Sequence, residues 1–251
     1  MPVTLAQMLE VSKQTGSAIG TPARLLDFLS HTLLAPRCLV CAEPGLGRLD
    51  LCADCVAALP WNTGACRQCA LALSGTDDHC GTCQFTPPPY TRAQCAFRYA
   101  FPLDRLLPRF KFHGDLAAGA LAATLLSWSL DPAEAPQALL PVPLHRGRLR
   151  QRGYDQALEL ARALSAQCGI PLLANRLRRV RRTLPQTELG ADARLRNVQG
   201  AFALRGRQPW PRHVALVDDV MTTGATLAEC AHVLLEAGVA RVDVWTVARA
   251  L

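Results

Sequence analysis

The stretch Val214-Ala215-Leu216-Val217-Asp218-Asp219-Val220-Met221-Thr222-Thr223-Gly224-Ala225-Thr226-Leu227 constrains the fold more than any other. A buried apolar run breaks there into paired acids and then into small hydroxyl residues. That order reads as strand, loop, helix. Val214 to Val217 suits a parallel strand buried on both faces, and Ala225 to Ala237 continues with helix-forming residues at apolar spacing. Thr222, Thr223, Gly224, Ala225 and Thr226 then lie at a helix N-terminus, where orphan N–H groups and the helix dipole favour an anion such as a phosphate monoester. Asp218 and Asp219, expected at the carboxyl end of the strand, are placed to accept hydrogen bonds from two vicinal hydroxyls. Ribose 5-phosphate carries this set of groups. The plainer alternative is a strand-to-helix turn in which an Asp caps the helix and the threonines fill the turn.

This pattern resembles the PRPP-binding signature of type I phosphoribosyltransferases: four apolar residues, two acids, then a small, Thr-rich loop. The resemblance implies that Asp218 and Asp219 bind the ribose hydroxyls, and that Thr222, Thr223, Gly224, Ala225 and Thr226 bind the 5-phosphate. A Walker loop would need a Lys after its last Gly, and a dinucleotide fingerprint three spaced glycines. Neither is present here.

Eight cysteines form four Cys-x-x-Cys pairs: Cys38 with Cys41, Cys52 with Cys55, Cys66 with Cys69, and Cys80 with Cys83. Ten residues separate the pairs within each half, and the second half follows the first by 28 residues. Two such turns complete a tetrahedral thiolate site, so the set can hold structural zinc, one or two ions, paired along the chain or cross-braced. Four disulfides are the rival reading and need an oxidising compartment. A zinc closed by four thiolates has no open position for water, which makes this segment a knuckle for folding or contact rather than for catalysis. Trp61, between the halves, is read as a small-core residue, with base stacking as the alternative.

The chain of 251 residues is half apolar, enough for an α/β domain plus a smaller unit. Three segments are expected: a leader and amphipathic helix over 1–36, a double zinc-ribbon-like segment over 37–86, and a phosphoribosyltransferase-like domain over 90–251, divided at Pro87-Pro88-Pro89. No run of about 18 apolar residues and no secretion signal occurs, which predicts a cytosolic protein without membrane insertion. The net charge of +7 comes almost wholly from arginine, since only Lys13 and Lys111 are lysines. Such a balance fits contact with phosphates, of a small substrate or of nucleic acid.

Between the cysteines and the acidic pair, Ala93 to Ala100 is read as a strand and Pro102 to Phe112 as a short helix. Lys111, flanked by two aromatics, can offer a compact charge to a phosphate. Asp115 to Leu130 reads as a helix, and Ala138 to Leu144 as a strand opening into a basic loop from His145 to Tyr154. Asp155 to Ala166 follows as a helix. Arg176 to Asn197 is basic and aperiodic, and Val242 to Val247 reads as the last buried strand. Cys95, Cys168 and Cys230 have no partners in sequence and are expected to be buried. In type I phosphoribosyltransferases a pyrophosphate loop follows an early strand, at the position of Leu144 to Arg148, and a mobile hood stands where Arg176 to Asn197 stands. With Lys111, the residues Leu144, His145 and Arg146 are the expected pyrophosphate contacts.

Several further motifs occur in one order: Phe110-Lys111-Phe112, Pro141-Val142-Pro143-Leu144-His145, Arg152-Gly153-Tyr154-Asp155-Gln156-Ala157, Thr183 with Gln186, Arg196-Asn197-Val198 and Gly200-Ala201-Phe202. Together with the cysteine knuckles and the signature they resemble the ComF family over Arg37 to Arg249. That resemblance implies an α/β fold of the type I phosphoribosyltransferase kind, a mostly parallel sheet flanked by helices, joined to a zinc segment. It further implies Mg²⁺ with PRPP, a role in natural competence with single-stranded DNA and DNA-uptake proteins as partners, and a single four-Cys site rather than two. Two classes of function follow: a transferase passing ribosyl 5-phosphate to an unknown acceptor, and a nucleic-acid-binding protein that reuses the fold.

Overall fold

In the computed structural model, residues 35–75, 77–181, 197–206 and 209–250 are described. The amphipathic helix expected before Leu34, and Thr183, Gln186, Arg194 and Arg196, lie outside them. The cysteine segment carries two one-turn helices, α1 (Ala53–Ala57) and α2 (Gly81–Phe85). Then come β1 (Arg92–Arg98), α3 (Leu103–His113), α4 (Leu116–Ser129), β2 (Ala138–Pro141), α5 (Arg146–Arg152) and α6 (Gln156–Cys168). The hairpin strands β3 (Leu177–Arg179) and β4 (Phe202–Leu204) precede β5 (His213–Met221), α7 (Ala225–Glu236) and β6 (Arg241–Arg249).

Four strands form one parallel sheet in the order β1-β6-β5-β2. Period-2 alternation sorts their side chains onto two buried faces. Ala215, Val217, Trp245, Val247 and Leu139 face a core built with α3, α4 and α6. Val214, Leu216, Val242, Val244, Ala138 and Leu140 face a second core built with α7. Local signals set the helix ends. Asp115 caps α4 by accepting from the Ala118 amide at 3.0 Å, and Gly114 ends α3 in the left-handed region at φ 68°.

β2 and β5 are neighbours, yet the helices that follow them pack on opposite faces: α6 against α4, and α7 on the far side. Such a reversal opens a crevice beyond the carboxyl ends of the two strands, which is where open α/β sheets take their ligands. β2 stops at Pro141, so β5 runs on alone along that side.

Three expectations need correction. β5 continues to Met221, pairing Asp218 with Thr246 and Met221 with Arg249, because β6 is long enough to hold it; the acids stand within the strand rather than at its very end. The basic loop after His145 is largely the helix α5, capped by His145 Nδ1, which accepts from the Gly147 amide at 3.1 Å. Cys168 is exposed, since it ends α6 where Gly169 turns the chain away; Cys95 and Cys230 are buried as expected. Among the described residues no helix is long and apolar enough to cross a membrane.

Candidate functional site

Successive strand residues point to opposite faces, and this places the two acids on either side of the crevice. Asp219 turns toward α3, where Lys111 Nζ lies 3.1 Å from Oδ2 and 3.5 Å from Oδ1. Asp218 turns toward the α7 side, where Arg179 and Cys230 lie within electrostatic range. The acids also brace their own backbone, Asp218 Oδ1 accepting from the Asp219 amide at 2.9 Å and Asp219 Oδ1 from the Val220 amide at 2.7 Å. Burial opposes the charged form of Lys111, but the Asp219 and Asp218 carboxylates outweigh it and hold its pKa above the ordinary lysine value.

Lys111 is fixed from behind. Gln156 Nε2 donates to its carbonyl at 3.2 Å, and Arg152 Nη1 donates to Gln156 Oε1 at 3.1 Å. The Arg152 guanidinium also lies 5.3 Å from the centre of the exposed Phe112 ring. Asp155 caps α6 through the Leu158 amide at 3.2 Å while its other oxygen accepts from the Leu144 amide at 3.0 Å. One carboxylate therefore ties the chain leaving β2 to the helix below the acids. Of the four expected pyrophosphate contacts, Lys111 and Leu144 join this network directly. His145 caps α5, and Arg146 is exposed at its first turn.

Beyond Met221 the chain turns at Gly224, whose φ of 77° suits glycine. A Cβ there would stand 2.9 Å from Met221 Cε and 3.0 Å from the Tyr90 hydroxyl, so any side chain would also have to displace these two side-chain ends. Thr223 Oγ1 accepts from the Ala225 amide at 3.4 Å, and Thr222, Thr223 and Thr226 keep exposed surface. Arg249, at the end of β6, holds the start of this loop: Nη1 donates to the carbonyls of Met221 (3.3 Å), Thr222 and Ala250. Its Nε reaches the carbonyl of Cys69 at 3.0 Å.

Burial first, and the charge on Asp219 second, push the Asp218 carboxyl up to about 8, against the pull of Lys111. An acid raised above its ordinary 3.8 binds more protons in the folded than in the unfolded chain, so stability falls as pH rises from about 4 toward 8. The ligand-free Asp218→Asn protein should therefore melt above the wild type at pH near 8, with the gap closing toward pH 4. Thermal denaturation across that range checks this; parallel curves for the two proteins would count against it.

The cysteines gather into two sets, Cys38, Cys41, Cys52 and Cys55, and Cys66, Cys69, Cys80 and Cys83, with all sulfurs of a set within 4.8 Å of one another. Sγ–Sγ separations of 3.6, 3.8 and 3.5 Å match the edge of about 3.8 Å that a regular tetrahedron with Zn–S bonds of about 2.3 Å requires. The sets run along the chain and are not cross-braced. The 28-residue repeat returns bond by bond: Ala42 and Ala70 both take positive φ and donate to Cys38 and Cys66 at 2.8 Å, and Leu39→Asp50 is repeated as Arg67→Asp78. Both sets fit structural zinc, against the expectation of a single site. The thiolates would hold the ion, and it would supply the cross-link that a core this small lacks.

Sequence reasoning missed Arg249 and Tyr90, whose links to the site come only from pairing distant segments, whereas Arg179 falls within the basic Arg176 to Asn197 segment that it singled out. Asp155, Gln156 and Arg152 had a signal, standing together in one short motif.

The chain matches the double zinc ribbon domain family over residues 29–84. It is 35% identical over 226 residues to Competence protein F of Haemophilus influenzae, covering 85% of this chain and 97% of that protein. DNA utilization protein YhgH of Escherichia coli strain K12 is 35% identical over 221 residues, with the same two coverages of 85% and 97%. Competence protein ComFC of Streptococcus pneumoniae is 28% identical over 154 residues, covering 61% of this chain and 66% of that protein. Two zinc ribbons leading into a parallel α/β sheet, and a likeness that runs along 97% of the first two of these relatives, establish that the chain belongs to the competence protein F family.

Proposed function

We propose that the carboxyl edge of the sheet binds a ribose 5-phosphate group, as PRPP with Mg²⁺, and that the protein serves natural competence by handling single-stranded DNA. The observation that carries this is the acid pair of β5 at the switch-point crevice, followed at once by the glycine-started helix α7. Asp218 and Asp219 accept from the ribose 2- and 3-hydroxyls, and the amides and hydroxyls of Thr222 to Thr226 hold the 5-phosphate. Lys111 exchanges its partner: with a pyrophosphate present the ammonium turns to it, and the Asp219 oxygens are released to the sugar. Leu144, His145 and Arg146 border the same side. Mg²⁺ neutralises the pyrophosphate, and carboxylates such as these are the hard oxygen ligands it takes.

The names of the relatives, competence protein and DNA utilization protein, support the DNA role. So does the abundance of exposed positive charge, since Arg146 and Arg150 of α5, the helix that follows β2, and Arg178 and Arg181 at the hairpin are exposed. One basic edge then meets a ribose phosphate either free or at a strand terminus. Calorimetric titration of the zinc-loaded protein with Mg-PRPP should give saturable binding that Asp218→Ala weakens by about a hundredfold, the loss of a charged hydrogen-bonding partner. Equal affinity in the variant, or none in the wild type, would sink the ribose phosphate reading.

A further inference from the structure

A cleft bordered by described residues lies away from the acids, and it differs from their site in chemistry. It is a cleft of about 700 Å³ between the chain entering the second ribbon, the outer edge of β1 and the last turn of α4. β1 begins at Arg92 and α4 ends at Ser129, so the cleft opens at the amino edge of the sheet. Asp218, Asp219 and the threonine loop stand at the other edge.

Six residues define it. Trp61 rests one face on Phe97, ring centres 4.6 Å apart, and remains half-exposed; Trp128 is half-exposed on the opposite wall. Asn62 donates its amide nitrogen to the Ala70 carbonyl at 2.9 Å, which fixes the carboxamide orientation. Its Oδ1 is then a buried acceptor with no partner among the described residues. Gln94 adds a second amide, and Arg67 and Arg92 bring positive charge to the lining, with Arg67 Nε also pairing with the exposed Asp78 carboxylate at 3.5 Å. The acid in the lining, Asp131, spends Oδ1 on capping the Ala133 amide at 3.0 Å.

We propose that this cleft binds a nucleoside phosphate, as one unit of single-stranded nucleic acid. A planar base stacks on an indole, the Gln94 amide in the lining meets the base edge, and the two guanidiniums take the flanking phosphates. Stacking plus one amide that both donates and accepts tolerates any base. An extended peptide fits less well, because β1 already bonds the ribbon chain along this edge: Arg98 donates to Pro60 at 2.9 Å, Ala93 to Arg67 at 3.1 Å, and Ala96 accepts from Asn62 at 2.9 Å. Few strand groups remain for a peptide backbone to pair with. The site explains what the ribbon adds beyond stability, since neither the ribbon nor the sheet forms the cleft alone.

The test uses the zinc-loaded full chain with short single-stranded oligonucleotides carrying a photo-reactive base. Cross-links should map to the peptides holding Trp61 and Trp128. The double variant Arg67→Glu with Arg92→Glu should lower oligonucleotide affinity about tenfold or more and flatten its salt dependence, while Mg-PRPP titration stays at the wild-type value. Competition by a free deoxynucleoside monophosphate would name the small molecule as the source of the ligand; competition by oligonucleotides alone would name the strand. Cross-links confined to the carboxyl edge, together with affinity unchanged in the double variant, would overturn the proposal. Failure of the wild type to bind PRPP would count against the ribose phosphate reading and leave the cleft standing.

Discussion

Cys52→Ser in the first ribbon is expected to lower stability across the whole chain, whereas Cys83→Ser in the second is expected to leave a folded protein. The difference lies in what each ribbon packs against. Cys38, Cys52 and Cys55, with Leu49, Leu51, Val56 and Leu59, belong to one continuous core with Leu103, Leu106 and Leu107 of α3 and with Phe97 of β1. Arg109 reinforces that seam, donating to the Leu39 carbonyl while pairing with Asp115 at 2.7 Å. Cys66, Cys80 and Cys83 instead form a small cluster of their own. A structural zinc contributes on the order of 10 kcal/mol to a ribbon of this kind, comparable with the whole stability of an ordinary domain. Its loss from the first ribbon exposes one wall of the main core, so the melting temperature should fall by about 10 °C or more, or the protein should become insoluble. Its loss from the second should cost less than half of that. Thermal denaturation, with bound zinc measured in each variant, decides the matter; equal losses from the two ribbons would show that the cores are not divided as described.

The sequence carried most of the sheet because its strands are buried on both faces and so read as unbroken apolar runs. Val214 to Val217 and Val242 to Val247 are of this kind, and each needed only extension at the ends. What it did not carry was set by pairing. Nothing local says that β6 is long enough to hold β5 as far as Met221, and the strand runs on past the acids expected at its end on that account. The repeat of 28 residues was legible, yet its order along the chain was not, since Cys-x-x-Cys spacing is the same in linear and cross-braced ribbons. The helix α5 hid behind its arginines, which resemble a basic loop until His145 is seen to cap them. The pairing of Lys111 with Asp219 was half legible: a lone lysine between two phenylalanines stood out, but its partner lies 108 residues away. Arg249 gave no signal at all, being one more arginine at the end of a strand.

That arginine carries the second large effect. Its guanidinium donates to the carbonyl of Cys69, a thiolate residue of the second ribbon, and to those of Met221 and Thr222, where the threonine loop begins. Tyr90, buried beneath Gly224, completes the contact between ribbon and loop. Arg249→Met keeps the length and apolar stem but removes the guanidinium donors: the Met221 carbonyl keeps the Ala250 amide at 2.9 Å, while those of Cys69 and Thr222 lose this partner at roughly 1–3 kcal/mol for each one kept from water. Zinc content should be unchanged, because no thiol is touched. Amide exchange over Thr222 to Thr226 should quicken, and Mg-PRPP affinity, if the ribose phosphate reading holds, should drop about tenfold or more. Cys83→Ser should produce the same two changes from the other side. In the double variant the losses should not add, since each substitution breaks the one connection that the other depends on. Exchange at the loop does not require a ligand, so it tests the connection even if PRPP is not what binds. Unaltered exchange in Arg249→Met, or fully additive losses in the double variant, would mean that the ribbon and the loop merely adjoin.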